Sequence, residues 1–141
     1  MIPCLLLTTP VIVETVGQCY IVLAEFTNEY RLVPRIHQNL VDRIVVVHSS
    51  HSSSNKNGVI QLRLGARPGE LLHEVGHQVS YQRGIQEKWD RRFWPGGQPR
   101  GKLLSGYART NSHEDFAETY RLWLQEDPRA SARLKWIRDH L

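Results

Sequence analysis

The sequence predicts an α+β fold: a short mixed sheet in the first half, one central helix, and a helical C-terminal part. Three patterns carry this expectation. Ile44-Val45-Val46-Val47 is a β-branched run of the kind found in strands buried on both faces. Residues 59–64 alternate, with Ile60, Leu62 and Leu64 facing one way and Gln61 and Arg63 the other. From residue 70 onward the apolar spacing changes to that of helices.

A chain of 141 residues suits one domain, 1–141, with a real core. The 40% apolar fraction and four tryptophans argue against disorder. The net charge of +4 is mildly basic, but the cations are spread along the chain. Solvated helix faces explain that pattern, so nucleic acid is disfavoured as a partner. Cys4 and Cys19 form no CxxC pair, and two free thiols are expected. The apolar start lacks the basic region of a signal peptide, and Glu14 ends it before it could span a membrane. Synthesis in the cytoplasm without a cleaved leader is expected, with export by another route, or an origin as a piece of a longer toxin-like protein, left open. The sequence does not speak to oligomeric state.

Taken in order, Val11-Ile12-Val13 and the run Tyr20 to Ala24 fit strand or helix equally well. Residues 28–39 read as helix around Pro34, with Ile36 and Leu40 sharing a face. The polar stretch HSSHSSSNKNG, residues 48–58, reads as a loop with His48 and His51 solvated. Residues 59–64 then read as a half-exposed edge strand. Gly65 to Gly69 turns the chain into a helix over about 70–83, stopped by Gly84, with Leu71, Leu72, Val75 and Val79 on its buried side. Gly76 inside that helix costs about 1 kcal/mol relative to alanine, which implies a close neighbour on its face. In residues 84–106 the density of proline and glycine predicts an irregular second half, ordered as a binding loop by Trp89 and Trp94. A helix over about 111–126, ended by Asp127-Pro128, and a last helix over 130–140 complete the chain.

The central helix carries His73-Glu74-Val75-Gly76-His77. Histidines four residues apart on a helix project from one face, where a single cation can take both imidazoles. This is the H-E-x-x-H pattern, with the glutamate placed as general base toward a metal-activated water. A catalytic zinc needs a third protein ligand and an open position. Glu114 is the best candidate. It lies one turn before Glu118, so one carboxylate can bind the metal while the other accepts the free N–H of a ligand histidine. His113 is a rival third ligand, but it points about 100° away round the helix. Asn111 with Glu114 and Ser112 with Asp115 are competing capping boxes; the second leaves Glu114 free. Tyr107 is placed to offer its hydroxyl to a developing oxyanion.

The segment from Ser105 to Leu122, together with HEVGH, resembles the catalytic domain of anthrax toxin lethal factor and its relatives, which include bacterial endopeptidases that cut between two prolines. In that family a Y-G/A-R-T-N-x-x-E-x-F-A-E stretch follows HExxH. Here it runs from Tyr107 to Glu118. The resemblance implies one zinc ion per chain held by His73, His77 and Glu114, with Glu74 as base and Tyr107 assisting catalysis. Glu118 falls on the second glutamate. It also implies a small zincin-like α+β domain of the gluzincin type. The resemblance covers residues 70–125. The stretch between the motifs, residues 84–104, is this protein's own, the first thirty residues match nothing in the family pattern, and the delivery domains of lethal factor have no counterpart here.

The expected activity is therefore zinc-dependent endopeptidase cleavage of a protein or peptide. The substrate is expected to pair with residues 59–64 by strand addition and to meet residues 84–106, with Trp89 and Trp94 lining the cleft. Two rivals are a regulatory HExxH peptidase that cleaves a repressor and a catalytically silent, zinc-stabilised binding module. The stretch from Tyr107 to Glu118 speaks against the first. Cleavage tests with and without chelator separate the second.

Overall fold

The computed structural model describes residues 11–13 and 26–141. It is a small mixed α+β structure. Its strands are β1 (Val11–Val13), β2 (Arg43–Val47), β3 (Ser53–Ser54) and β4 (Val59–Arg63). Its helices are α1 (residues 26–30), α2 (Arg35–Gln38), α3 (Glu70–Ser80), α4 (Ile85–Phe93), α5 (Ser112–Leu124) and α6 (Ala132–His140). Single 3-10 turns lie at Pro95–Gly97 and Tyr107–Arg109. Cys4, Cys19 and the run from Tyr20 to Ala24 lie outside the described residues. Among the described residues no helix is long and apolar enough to cross a membrane.

The sheet order is β1-β2-β4-β3. β1, β2 and β4 run parallel, and β3 is antiparallel to β4. In β2 the β-branched side chains alternate: Ile44 and Val46 are buried, while Val45 and Val47 are only partly covered. β4 alternates as its sequence predicts, with Ile60 and Leu62 fully buried. It is not an edge strand, however. Ser53 and Ser54 pair with Gln61 and Ile60 and take the edge themselves. The serine stretch thus contains the outer strand of the sheet, although it reads as loop. Its pairing partner lies across a turn closed at Gly58, whose φ of 82° favours glycine.

The region before β2 also differs from expectation. Residues 28–39 do not form one helix. α1 ends at residue 30, and Pro34 caps the separate short α2. Proline removes the N–H that a continuous helix needs and pushes the preceding residue out of helical geometry. Ile36 is 67% exposed, while His37 is the buried residue of α2, its Nδ1 2.8 Å from the Tyr120 hydroxyl.

α3 lies between the sheet and α5. Leu71, Leu72, Val75 and Val79 are fully buried, joining Ile60, Leu62, Phe116 and Tyr120 in one core. The helix stops at Ser80, three residues before the predicted end. The Ser80 hydroxyl donates back to the His77 carbonyl, and the left-handed Gly84 (φ 67°) starts α4 after a turn. Glu70, in the first turn of α3, pairs with Arg63 and accepts from the Ser52 hydroxyl and the Arg67 amide. This pins the start of α3 to the end of β4.

The expected binding loop over 84–106 is half helix. α4 occupies its first part, and Trp89 and Trp94 are buried in the core. Trp89 packs edge-on against Phe116 and Trp136, with ring centroids 5.3 Å apart in each case. The Trp94 indole N–H donates to Asp115 at 2.8 Å. Neither tryptophan lines the two clefts that open beside His73 and Glu74. Large aromatic surfaces gain most by leaving water, and the core that takes them is built from distant segments.

Candidate metal centre

α3 and α5 build the site together. The N-cap of α5 is Asn111, whose side chain accepts from the amides of His113 and Glu114. Ser112 is therefore the first helical residue and not the cap. Asp115 turns inward, where both carboxylate oxygens lie 2.9 Å from Arg133 Nε. This cap sets the helical phase that points Glu114 and Glu118 toward α3. His113 is exposed and outside the cluster.

His73 Nε2 lies 2.9 Å from Glu114 Oε2 and 3.1 Å from His77 Nε2. His77 Nε2 lies 3.3 Å from the same Glu114 oxygen. The other side of the His73 ring is held by Glu118, whose Oε1 accepts from Nδ1–H at 2.9 Å. Arg121 grips both oxygens of Glu118, at 3.1 and 3.0 Å. A chain of contacts thus runs from Arg121 through Glu118 to His73, leaving Nε2 facing Glu114 and His77.

Burial disfavours a charge on His73, but hydrogen bonds to Glu114 and Glu118, aided by the charges of Glu74 and Glu118, prevail and hold its pKa up at about 9. Burial would raise Glu114 too, yet hydrogen bonds with His73 and His77 hold it down at about 2. Glu118 is likewise held at about 2: burial is outweighed by its bonds to His73, Arg121 and Ser105. Glu74 goes the other way, because burial raises it more than the two histidines lower it. Its Oε2 is buried without a hydrogen-bond partner.

The donor set fits a small divalent cation. With Nδ1–H given to Glu118, a neutral His73 turns a lone pair toward Glu114 and His77. A proton on Nε2 relieves that repulsion, and so does an ion shared by all three atoms. An ion bound tetrahedrally at ~2.1 Å separates its ligand atoms by roughly 3.4 Å. The separations of 2.9, 3.1 and 3.3 Å are within a few tenths of an ångström of that triangle, so His73, His77 and Glu114 could hold a metal ion.

Two clefts meet here, of about 550 and 250 Å³, and both are lined by Ser52, His73, Glu74 and Tyr107. Tyr107 is 57% exposed, its ring 5.6 Å from that of His73. Burial, then the nearby carboxylates, push its hydroxyl pKa up, so it stays a donor at neutral pH. The larger cleft continues to Arg63, Arg67 and Arg121, the smaller to Tyr81, Asn111 and His113.

Sequence reasoning missed three parts of this arrangement. Arg121 stands three residues after Glu118, a helical pairing distance that was open to inspection. Tyr81 stands one turn after His77 and stacks on its ring, at 6.5 Å between centroids and 20° between planes. The serines of β3 had no such signal. His48 lies outside the cluster and both clefts, and His51 lines the larger cleft as an exposed residue.

No family model, curated protein or solved structure matches this chain.

Proposed function

We propose that the chain is a zinc-dependent endopeptidase of the zincin-like, gluzincin type. One observation carries this reading: two histidines of α3 and one glutamate of α5 converge within 3.3 Å, beside a buried glutamate with an unpartnered oxygen. Two imidazoles and one carboxylate are a donor set suited to zinc with a position left open. Zinc held there supplies a water of lowered pKa, near ~7, and polarises a substrate carbonyl.

The chain's own residues do the rest. Glu74 receives the proton of the attacking water and passes it to the leaving amine. Its raised pKa suits a group that must both take and give a proton. Tyr107, beside the His73 ring and open to the cleft, donates its hydroxyl to the carbonyl oxygen as charge develops there. Glu118, held by Arg121, keeps His73 in the tautomer that turns Nε2 to the ion. An extended substrate has the outer edge of β3 to pair with, since Ser52, Ser53 and Ser54 form one wall of the smaller cleft.

The test is cleavage of a peptide library by the purified chain, with and without chelator, alongside measured zinc content. Chelator-sensitive cleavage that returns with added zinc is the expected result. A zinc-loaded protein that cleaves no peptide would favour the silent binding module.

A further inference from the structure

A separate cavity, of about 240 Å³, lies between the end of α4 and the start of α6. Four of its nine lining residues are cationic, namely Arg92, Arg100, Lys102 and Arg133, and none is acidic. Arg92, Arg100 and Lys102 are exposed, and no ion pair engages them among the described residues. Arg133 is different. It is 2% exposed, and Asp115 answers its charge through Nε. Its Nη1 donates to the carbonyls of Arg100 and Lys102, fixing the segment that carries those side chains, and its Nη2 is buried with no hydrogen-bond partner.

The backbone adds to this field. Ser131 caps α6, a helix of nine residues with no acidic residue in its first turn. Its positive end lies at the cavity wall through Ser131 and Ala132. Three uncompensated cations around one concavity repel each other, and an anion seated among them removes that cost. The cavity lies below the ~300–1,000 Å³ of pockets for drug-sized ligands and has room for a tetrahedral group.

We propose that the cavity formed by Arg92, Arg100, Lys102 and the start of α6 is a binding site for a phosphate-type oxyanion, separate from the metal centre. Guanidinium groups and helix amides match the oxygens of a phosphoryl group in charge and geometry. The site does not depend on the endopeptidase reading.

The experiment is titration of the full chain with inorganic phosphate at constant ionic strength, followed by amide NMR shifts. Saturable shifts confined to residues 100–102 and 131–133 are expected. Amides of His73 and Tyr107 report separately any phosphate at the metal centre. Arg100→Ala with Lys102→Ala removes two exposed charges and should weaken binding by about tenfold or more. Glycerol phosphate in a parallel titration distinguishes free from esterified phosphate: whichever saturates at lower concentration names the source. Shifts that rise linearly, that chloride reproduces, or that the double variant leaves unchanged would overturn the proposal.

Discussion

A Cβ placed on Gly76 would stand 2.9 Å from the Cα of Ala117 and 3.2 Å from its carbonyl oxygen. α3 and α5 cross at this point with backbone against backbone. The crossing lies between the turn carrying His73 and His77 and the turn carrying Glu114 and Glu118. The glycine therefore sets the gap across which the three converging side chains meet. Gly76→Ala gains about 1 kcal/mol of helix propensity, but the atom it meets is main chain and cannot rotate away. Overpacking of this kind costs about 1–3 kcal/mol, so a lower melting temperature and weaker zinc binding are expected. Thermal melts with and without zinc check both.

Glu74→Gln should abolish cleavage while zinc stays bound. Glu74 is not among the three converging atoms, and the amide cannot take a proton from water. Zinc stoichiometry by atomic absorption, beside a cleavage assay, reads the two effects separately. Loss of zinc together with activity would place Glu74 among the ligands and sink the assignment.

Tyr107→Phe should leave the melting temperature unchanged, because the residue is 57% exposed. Turnover should fall by about 100-fold, the usual cost of one oxyanion donor. Steady-state kinetics should show the loss in kcat rather than KM. Equal kcat in both proteins would remove Tyr107 from the chemistry.

Glu118→Gln keeps the size of the side chain but weakens its hold on His73 Nδ1 and Arg121. Zinc affinity should drop by about 10–100-fold with little change in fold. Competition against a fluorescent chelator measures it. An unchanged affinity would mean that the Glu118–His73 bond does not bear on the metal.

The pH dependence should differ between metal-free and zinc-loaded protein. Glu114 and Glu118 are held down at about 2. Their contribution to stability is present above the unfolded value of about 4.3 and is lost as pH falls toward 2. His73 is held up at about 9, so its contribution is full below about 6.5 and is lost as pH rises through 9. For these three groups the metal-free protein is most stable between about pH 4.3 and 6.5. Zinc must displace the His73 proton, so its affinity should climb over the range from about 6.5 to 9. Melting curves and zinc titrations across pH 4 to 9.5 test both trends, and a zinc affinity flat across that range would contradict the coupling.

The helical patterns were the most legible part of the chain. Leu71, Leu72, Val75 and Val79 share a face by spacing alone, and all are fully buried. His73 with His77, and Glu114 with Glu118, were placed in facing pairs by the same period, and the structure brings three of the four to within 3.3 Å of one another. Some errors fell where a segment's neighbour is far away in sequence, others at local features such as Pro34 and the serine run. Trp89 and Trp94 read as lining a binding loop because their partners Phe116, Trp136 and Asp115 come later in the chain. Residues 59–64 read as an edge because nothing in the serine run announces a strand.

The sequence by itself determined which side chains share a helical face, because that period repeats every few residues and needs no partner to define it. Which chemical groups could serve a metal followed from residue type and spacing. Only the tertiary structure decided that Ser53 and Ser54 cover β4, that the tryptophans go inward, and that Gly76 lets α5 come close enough for Glu114 to reach the histidines. The last two outcomes depend on contacts between distant segments, where burial and close packing outweigh local preference; the first rests on a short hairpin whose serines carry no strand preference.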